Sequence, residues 1–169
     1  MSHPFNLKDP VHVLSVGFGS GLLKPAPGTW GTIAAALIYF FALRHLPPMY
    51  FYLLVAITAA AGIYICGKPA RDVGTHDHSA IVWDEFVGYW LTIAIAMLYT
   101  GNHLHVYWLL LGFVLFRFFD IVKPFPIGLL DKKVHGGVGI MLDDIIAAIY
   151  AGIILYASLW TYKEWWLGL

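Results

Sequence analysis

The stretch "GGVGIMLDDIIAAIYAGIILY", Gly136 to Tyr156, decides the fold class. Two adjacent carboxylates, Asp143 and Asp144, interrupt a run that is otherwise apolar and long enough to cross a bilayer as one helix. An acid inside a membrane costs a few kcal/mol unless it is paired, protonated or bound to a cation. Two side by side therefore call for a cation, and hard divalent ions take oxygen ligands. Mg²⁺ typically uses one or two carboxylates together with water and substrate phosphate. Ala147, Ala148, Ala151 and Gly152 follow the pair and allow a neighbouring helix to approach closely.

The rest of the chain supports a membrane reading. Of 169 residues, 60% are hydrophobic and 12% charged, too little polar surface for a soluble domain of this length. Five stretches test as spans: about 30–43, 49–66, 86–99, 106–119 and 138–160. The expectation is an all-α polytopic bundle of four to five transmembrane helices, a single domain over residues 1–169; the blander alternative is a soluble helical bundle. The first sixteen residues hold Pro, His, Asn, Lys and Asp, so no cleavable signal peptide is expected there. Cys66 is the single cysteine, which excludes an intrachain disulfide or a cysteine-based metal cluster. Zero net charge argues against a general nucleic-acid binder.

With the amino terminus inside, Lys8, Lys24, Lys68, Arg71, Arg117, Lys123, Lys132 and Lys133 fall on the inner side, and Arg44 and Lys163 outside. This bias predicts an N-in, C-out topology. Every acid except Glu164 falls on the same inner side, although the acids did not choose the orientation. Ionisable groups gathered at helix ends suit an enzyme acting on a headgroup. The class-different alternative is a cation- or proton-coupled transporter using the same carboxylates, but a transporter more often places such groups near the midplane.

Four constellations carry the candidate chemistry. In "GFGSGLLKPAPGTWGT", residues 17–32, glycines and a following helix start could cradle a phosphate, with Ser20, Lys24 and Thr29 facing the ligand; an ordinary tight loop is the alternative. In "HDHSAIVWDEFVGYW", residues 76–90, Asp84 and Glu85 stand at a helix start, and His76 and His78 are either metal ligands or solvated loop residues. In "RFFDIVKPFPIGLLDKKVHGG", residues 117–137, Arg117, Asp120 and Lys123 share one helical face, and Pro124 and Pro126 then end the helix. Lys132 and Lys133 suit anionic headgroups, and His135 has no assigned role. The fourth constellation is the opening stretch. Asp143 and Asp144 read as half of a metal site, with Asp84 and Glu85 as the other half.

Read in order, "GFGSGL", "PGTWGT", "HDHSAIVWDEFVG", "RFFDIVKPFPI" and "DKKVHGGVGIMLDD" resemble the phosphatidylglycerophosphatase A family of bacterial membrane lipid phosphatases, over residues 17–148. The resemblance implies Mg²⁺-dependent hydrolysis of phosphatidylglycerophosphate to phosphatidylglycerol and phosphate, at the cytoplasmic face of the inner membrane and among membrane phospholipids. On that reading Asp84, Glu85, Asp143 and Asp144 hold the metal, Asp120 is a further ligand or orienting group, and Ser20, Lys24, Thr29, Arg117 and Lys123 bind phosphate. Water and a carboxylate both remain open as the nucleophile, and the oligomeric state is left open.

Overall fold

The computed structural model describes residues 4–75 and 78–166, with the side chains of residues 131, 132 and 166 left aside. Among the described residues there is no strand. A short helix α1 (Pro10–Ser15) and a 3₁₀ segment (Gly17–Leu22) precede α2 (Pro27–Phe41), α3 (Pro48–Asp72), α4 (Trp83–Thr100) and α5 (Val106–Val122). A short α6 (Ile127–Lys133) leads into α7 (Gly136–Thr161), which continues as a π-helical turn at Tyr162–Trp166.

Each of the five apolar stretches lies largely within one of the long helices, and the helix boundaries follow from local chemistry. Pro27 and Pro48 open α2 and α3, where a missing N–H costs nothing and the ring pre-sets φ. Asp84 and Glu85 occupy the first turn of α4, favoured by the helix dipole. Gly101 ends that helix in the left-handed conformation at φ 65°, its N–H donating to the Met97 carbonyl at 2.8 Å. Lys123 ends α5, and Pro124 prevents continuation.

By length and composition two helices can cross a membrane: α3, with 25 residues, and the continuous run Gly136–Trp165, with 30. That criterion supports two of the four to five expected spans and leaves the others without support from length and composition. Helix α2 has 15 residues and α5 has 17, about 22 and 26 Å of rise against a hydrocarbon core of about 30 Å. The 18 residues of α4 include Asp84 and Glu85, which lower its hydropathy. The outer surface is nonetheless apolar. Tyr107, Leu110, Val114, Phe118 and Ile121 form an exposed stripe along α5, and Leu53, Ile57 and Tyr64 are exposed on α3. So large an exposed apolar area marks a membrane-associated surface.

The most central helix is α7, packed against α4, α3 and α5. Its buried Ala147, Ala148, Ala151 and Gly152 carry little side-chain bulk, which lets α4 approach; a Cβ on Gly152 would stand 2.7 Å from the Ile95 Cβ. At the start of α7, a Cβ on Gly137 would strike the Ile63 carbonyl and Gly67 of α3, so backbone meets backbone there. Near that end Lys68 donates to both Asp9 and Asp72 at 2.7 Å, and His12 Nε2 reaches Asp72 at 2.9 Å. These contacts tie α1 to α3, and the Lys68 hydrogen bond holds the Asp9 carboxyl below the usual carboxylate range. At the opposite end Tyr39 lies 3.0 Å from His103 Nδ1, while His103 Nε2 donates to the Leu46 carbonyl at 2.8 Å. Among the described residues, the charged groups other than Arg44, Lys163 and Glu164 therefore gather at one end of the bundle.

Gly137→Val forces backbone apart at the α3–α7 contact, and we expect it to destabilise the fold by about 1–3 kcal/mol. Thermal unfolding in detergent should show a lowered midpoint relative to Ala56→Val, a substitution of similar size on an exposed position of α3.

Candidate active site

Four chain segments converge at the polar end of the bundle. The start of α2 contributes Pro27 and Gly28, the start of α4 contributes Asp84 and Glu85, the end of α5 contributes Arg117, Asp120 and Lys123, and α7 contributes Asp143 and Asp144. They line a cavity of about 380 Å³, together with Ala26, Ser79, Ile81, Ile121 and Ile140. Ala26 and Lys123 hold left-handed backbone at φ 58° and 45°, a conformation disfavoured for residues with a Cβ and concentrated at functional sites.

Five carboxylates face two cations here, and the ion pairs divide them into groups. Arg117 binds Asp120 at 2.5 Å and reaches Glu85 at 3.7 Å. Lys123 Nζ donates to Asp143 Oδ2 at 2.8 Å. Oxygens of Asp84, Glu85 and Asp144 all lie within 4.8 Å of one another, near enough for one ion to be shared by the three side chains. Asp84, Asp143 and Asp144 are buried, and Glu85 is nearly so.

The donor set fits a hard divalent cation. Glu85 Oε2 and Asp144 Oδ2 are buried with no hydrogen-bond partner among the described residues. A buried carboxylate oxygen in that state is costly, and the two belong to acids that gather with a third. An oxygen-binding cation between α4 and α7 would offset that cost.

The geometry refines the expected ligand set. Asp84, Glu85 and Asp144 come together, whereas Asp143 turns to Lys123; adjacent helical residues point about 100° apart, so one acid of the pair faces α4 and the other α5. The glycine-rich loop behaves differently from the expected cradle. Ser20, Lys24 and Thr29 do not line the cavity: the Ser20 hydroxyl donates to the Gly17 carbonyl at 2.8 Å, and Lys24 is exposed. The loop's glycines make room for protein instead. A Cβ on Gly21 would strike the Ala80 carbonyl, and one on Gly31 would stand 2.6 Å from Val82. His78 Nδ1 accepts from the Ala80 N–H at 3.1 Å and does not line the cavity, and His135 is exposed. His76 and the Lys132 side chain lie outside the described residues.

Gly28 and Ser79 line the cavity and are not among the residues expected from sequence. A Cβ on Gly28 would strike the Glu85 carboxylate and stand 3.1 Å from the Arg117 guanidinium. The signal for Gly28 in the sequence is the "PGTWGT" motif, in which it directly precedes Thr29.

An apolar-surfaced helical bundle with a buried cluster of carboxylates and cations at one end fits the class of membrane-associated enzymes. The comparisons with known proteins narrow it. The profile of the family described as "PgpA: Phosphatidylglycerophosphatase A" matches residues 13–159. A Haemophilus influenzae protein named phosphatidylglycerophosphatase A is 47% identical over 152 residues, covering 90% of each chain. An Escherichia coli protein of the same name is 44% identical, covering 89% of this chain and 84% of the relative. A Bacteroides thetaiotaomicron protein, named provisionally as a phosphatidylinositol-3-phosphatase, is 37% identical over 88% of this chain and 92% of the relative. No solved structure matches. The chain belongs to the phosphatidylglycerophosphatase A family and is a phosphatase, an enzyme of the phosphoric monoester hydrolase class.

Gly28→Ala adds one methyl group at the first turn of α2, where Ala is favoured over Gly by up to about 1 kcal/mol. The fold should hold while the Glu85 carboxylate is displaced, and displacement by about 1 Å can cost about a hundredfold in rate. Phosphate-release kinetics beside thermal unfolding of the same preparation check both halves.

Proposed function

We propose that this protein hydrolyses phosphatidylglycerophosphate to phosphatidylglycerol and inorganic phosphate, with Mg²⁺ as cofactor, at the cytoplasmic face of a bacterial inner membrane. The observation that carries the proposal is the cavity in which Asp84, Glu85 and Asp144 converge beside Arg117 and Lys123. The names of two relatives support the substrate, and the third relative's name also describes a lipid phosphomonoester. Family membership favours hydrolysis over the transporter reading.

In this reading Asp84, Glu85 and Asp144 hold the metal. When bound it supplies Lewis acidity at the phosphoryl oxygens and lowers the pKa of a coordinated water. Arg117 presents a planar guanidinium to the phosphate, its orientation set by Asp120. Lys123 adds positive charge at the cavity wall, steadied by Asp143. These two cations offset the charge on the phosphate and on the departing alkoxide, the electrostatic share of catalysis. The buried position of Asp144 limits water around the reacting group.

The proposed topology places all five long helices across the membrane, N-in and C-out, with short helices compensated by interfacial flanks and local thinning. The alternation supports it: the starts of α2, α4 and α7 and the end of α5 lie together at the cavity, and the end of α3 meets α1 and the start of α7 nearby. Reporter fusions after Leu169 and within residues 68–75 should report opposite sides. The same side for both removes a span.

The catalytic proposal is tested on purified protein in lipid vesicles. Asp84→Asn and Asp144→Asn remove a charged ligand at nearly constant volume, and phosphate release should fall by about a hundredfold or more with the fold retained. Chelation of the wild type should cause the same loss, restored by Mg²⁺ and less well by Ca²⁺, whose coordination shell is larger and looser. Folded, fully active Asn variants, or chelator-insensitive phosphate release, overturn the mechanism.

A further inference from the structure

A second cavity, of about 440 Å³, lies between α2 and α5. Its walls are Ile33, Ala36, Leu37 and Phe40 of α2 against Leu109, Leu110 and Phe113 of α5, and its floor is Tyr89 of α4. Both walls are pinned to the helix that makes the floor. The Trp90 indole N–H donates to the Ala35 carbonyl at 2.9 Å, and the Tyr89 hydroxyl donates to the Leu109 carbonyl at 3.2 Å. The groove is therefore a preformed feature of the bundle, held open by two hydrogen bonds between buried partners.

The groove runs along helices that also line the polar cavity. Both cavities are bordered by α2, α4 and α5, and the polar one by α7 as well. Tyr89 follows Glu85 by four residues on α4, and Phe113 precedes Arg117 by four on α5, so each pair stands on one helical face about one turn apart. On α2 the polar cavity touches Gly28 and the groove begins at Ile33. From Gly28 to Phe41, the far end of the groove, the helix rises about 20 Å, comparable with one bilayer leaflet. A polar end with charge for phosphate and an apolar trough descending from it along one helix pair match the two halves of a lipid phosphate.

We propose that the α2–α5 groove binds one acyl chain of the substrate lipid while its phosphate occupies the carboxylate-lined cavity. The inference rests on the lipid phosphatase reading and extends it. The groove makes the enzyme sensitive to the length of the chain, and it anchors the headgroup at a fixed depth beside Arg117. Binding energy gained from the unreacting tail then serves to position the reacting phosphate.

Two measurements test this. In the first, kcat/KM is compared for long-chain phosphatidylglycerophosphate and a short-chain, water-soluble analogue. Ala36→Trp and Leu110→Trp fill the groove and should lower the long-to-short ratio by about tenfold or more, through lost burial of several methylenes. Ile57→Trp, on the exposed face of α3, should leave the ratio as in the wild type. In the second, a non-hydrolysable phosphonate analogue carrying a photoreactive group at one chain end is cross-linked to wild-type protein in vesicles. The adducts should map to α2 and α5 near Phe41 and Val106, and an equally photoreactive phosphatidylcholine should label them weakly. An unchanged ratio in both folded tryptophan variants overturns the proposal. So does equal labelling by phosphatidylcholine, which means bulk lipid fills the groove, and so does the absence of phosphonate adducts on α2 and α5, which means the chain lies elsewhere. Should the variants fail to fold, the wild-type labelling decides. If wild-type protein releases no phosphate from either substrate, the proposed function fails, while phosphonate labelling still reads the groove independently.

Discussion

The meeting of α4 and α7 at their amino-terminal ends forces Asp84, Glu85 and Asp144 into one small volume, and most other features of the molecule accommodate that crowding. Three carboxylates ionised together away from bulk water would repel strongly, since a lower effective dielectric multiplies each pairwise term. Three provisions offset this: helix N-termini carrying partial positive charge, the cations Arg117 and Lys123 delivered from the end of α5, and oxygen positions suited to a divalent ion. The apolar bundle behind them supplies the rigidity that keeps the charges from moving apart.

That rigidity comes from small residues where helices cross. A site assembled from four segments is only as accurate as the distances between their axes, and the alanines and glycines of α7 set those distances by contact. The same logic explains the loop before α2. Its glycines admit the 80–82 segment that leads into α4, and this holds Asp84 and Glu85 at the correct depth. The loop thus acts on the chemistry through the placement of acids, while Gly28, in the first turn of α2, leaves room for the Glu85 carboxylate by its missing Cβ.

Polar and apolar demands are segregated along the bundle axis. At one end, ion pairs and carboxylates surround a cavity; at the other, aromatic contacts such as Trp108 with Tyr162 and Tyr99 with Tyr156 close the bundle. Between them the outer surface is apolar, and the trough between α2 and α5 is apolar as well. A lipid carrying a phosphate has the same division of polarity, so the enzyme and its proposed substrate share one axis.

Much was determined by the sequence alone. The five apolar stretches specified the long helices, because burying a backbone among apolar groups demands internal hydrogen bonds whatever surrounds the bundle. The acids at 84, 85, 120, 143 and 144 and the cations at 117 and 123 were legible as a site because charge next to such stretches is expensive and has to be offset. Only the tertiary structure decided how they pair. Spacing along one helix gives the angle between Asp143 and Asp144 but not which neighbour stands at each angle, and it is the position of α4 and α5 around α7 that sends Asp144 to the acids and Asp143 to Lys123. Nor could spacing show that Ser20, Lys24 and Thr29 lie outside the cavity while Gly28 lies against Glu85. Those relations belong to the crossing of helices distant in the chain, where side-chain volume and axis distance, rather than local propensity, settle which atoms meet.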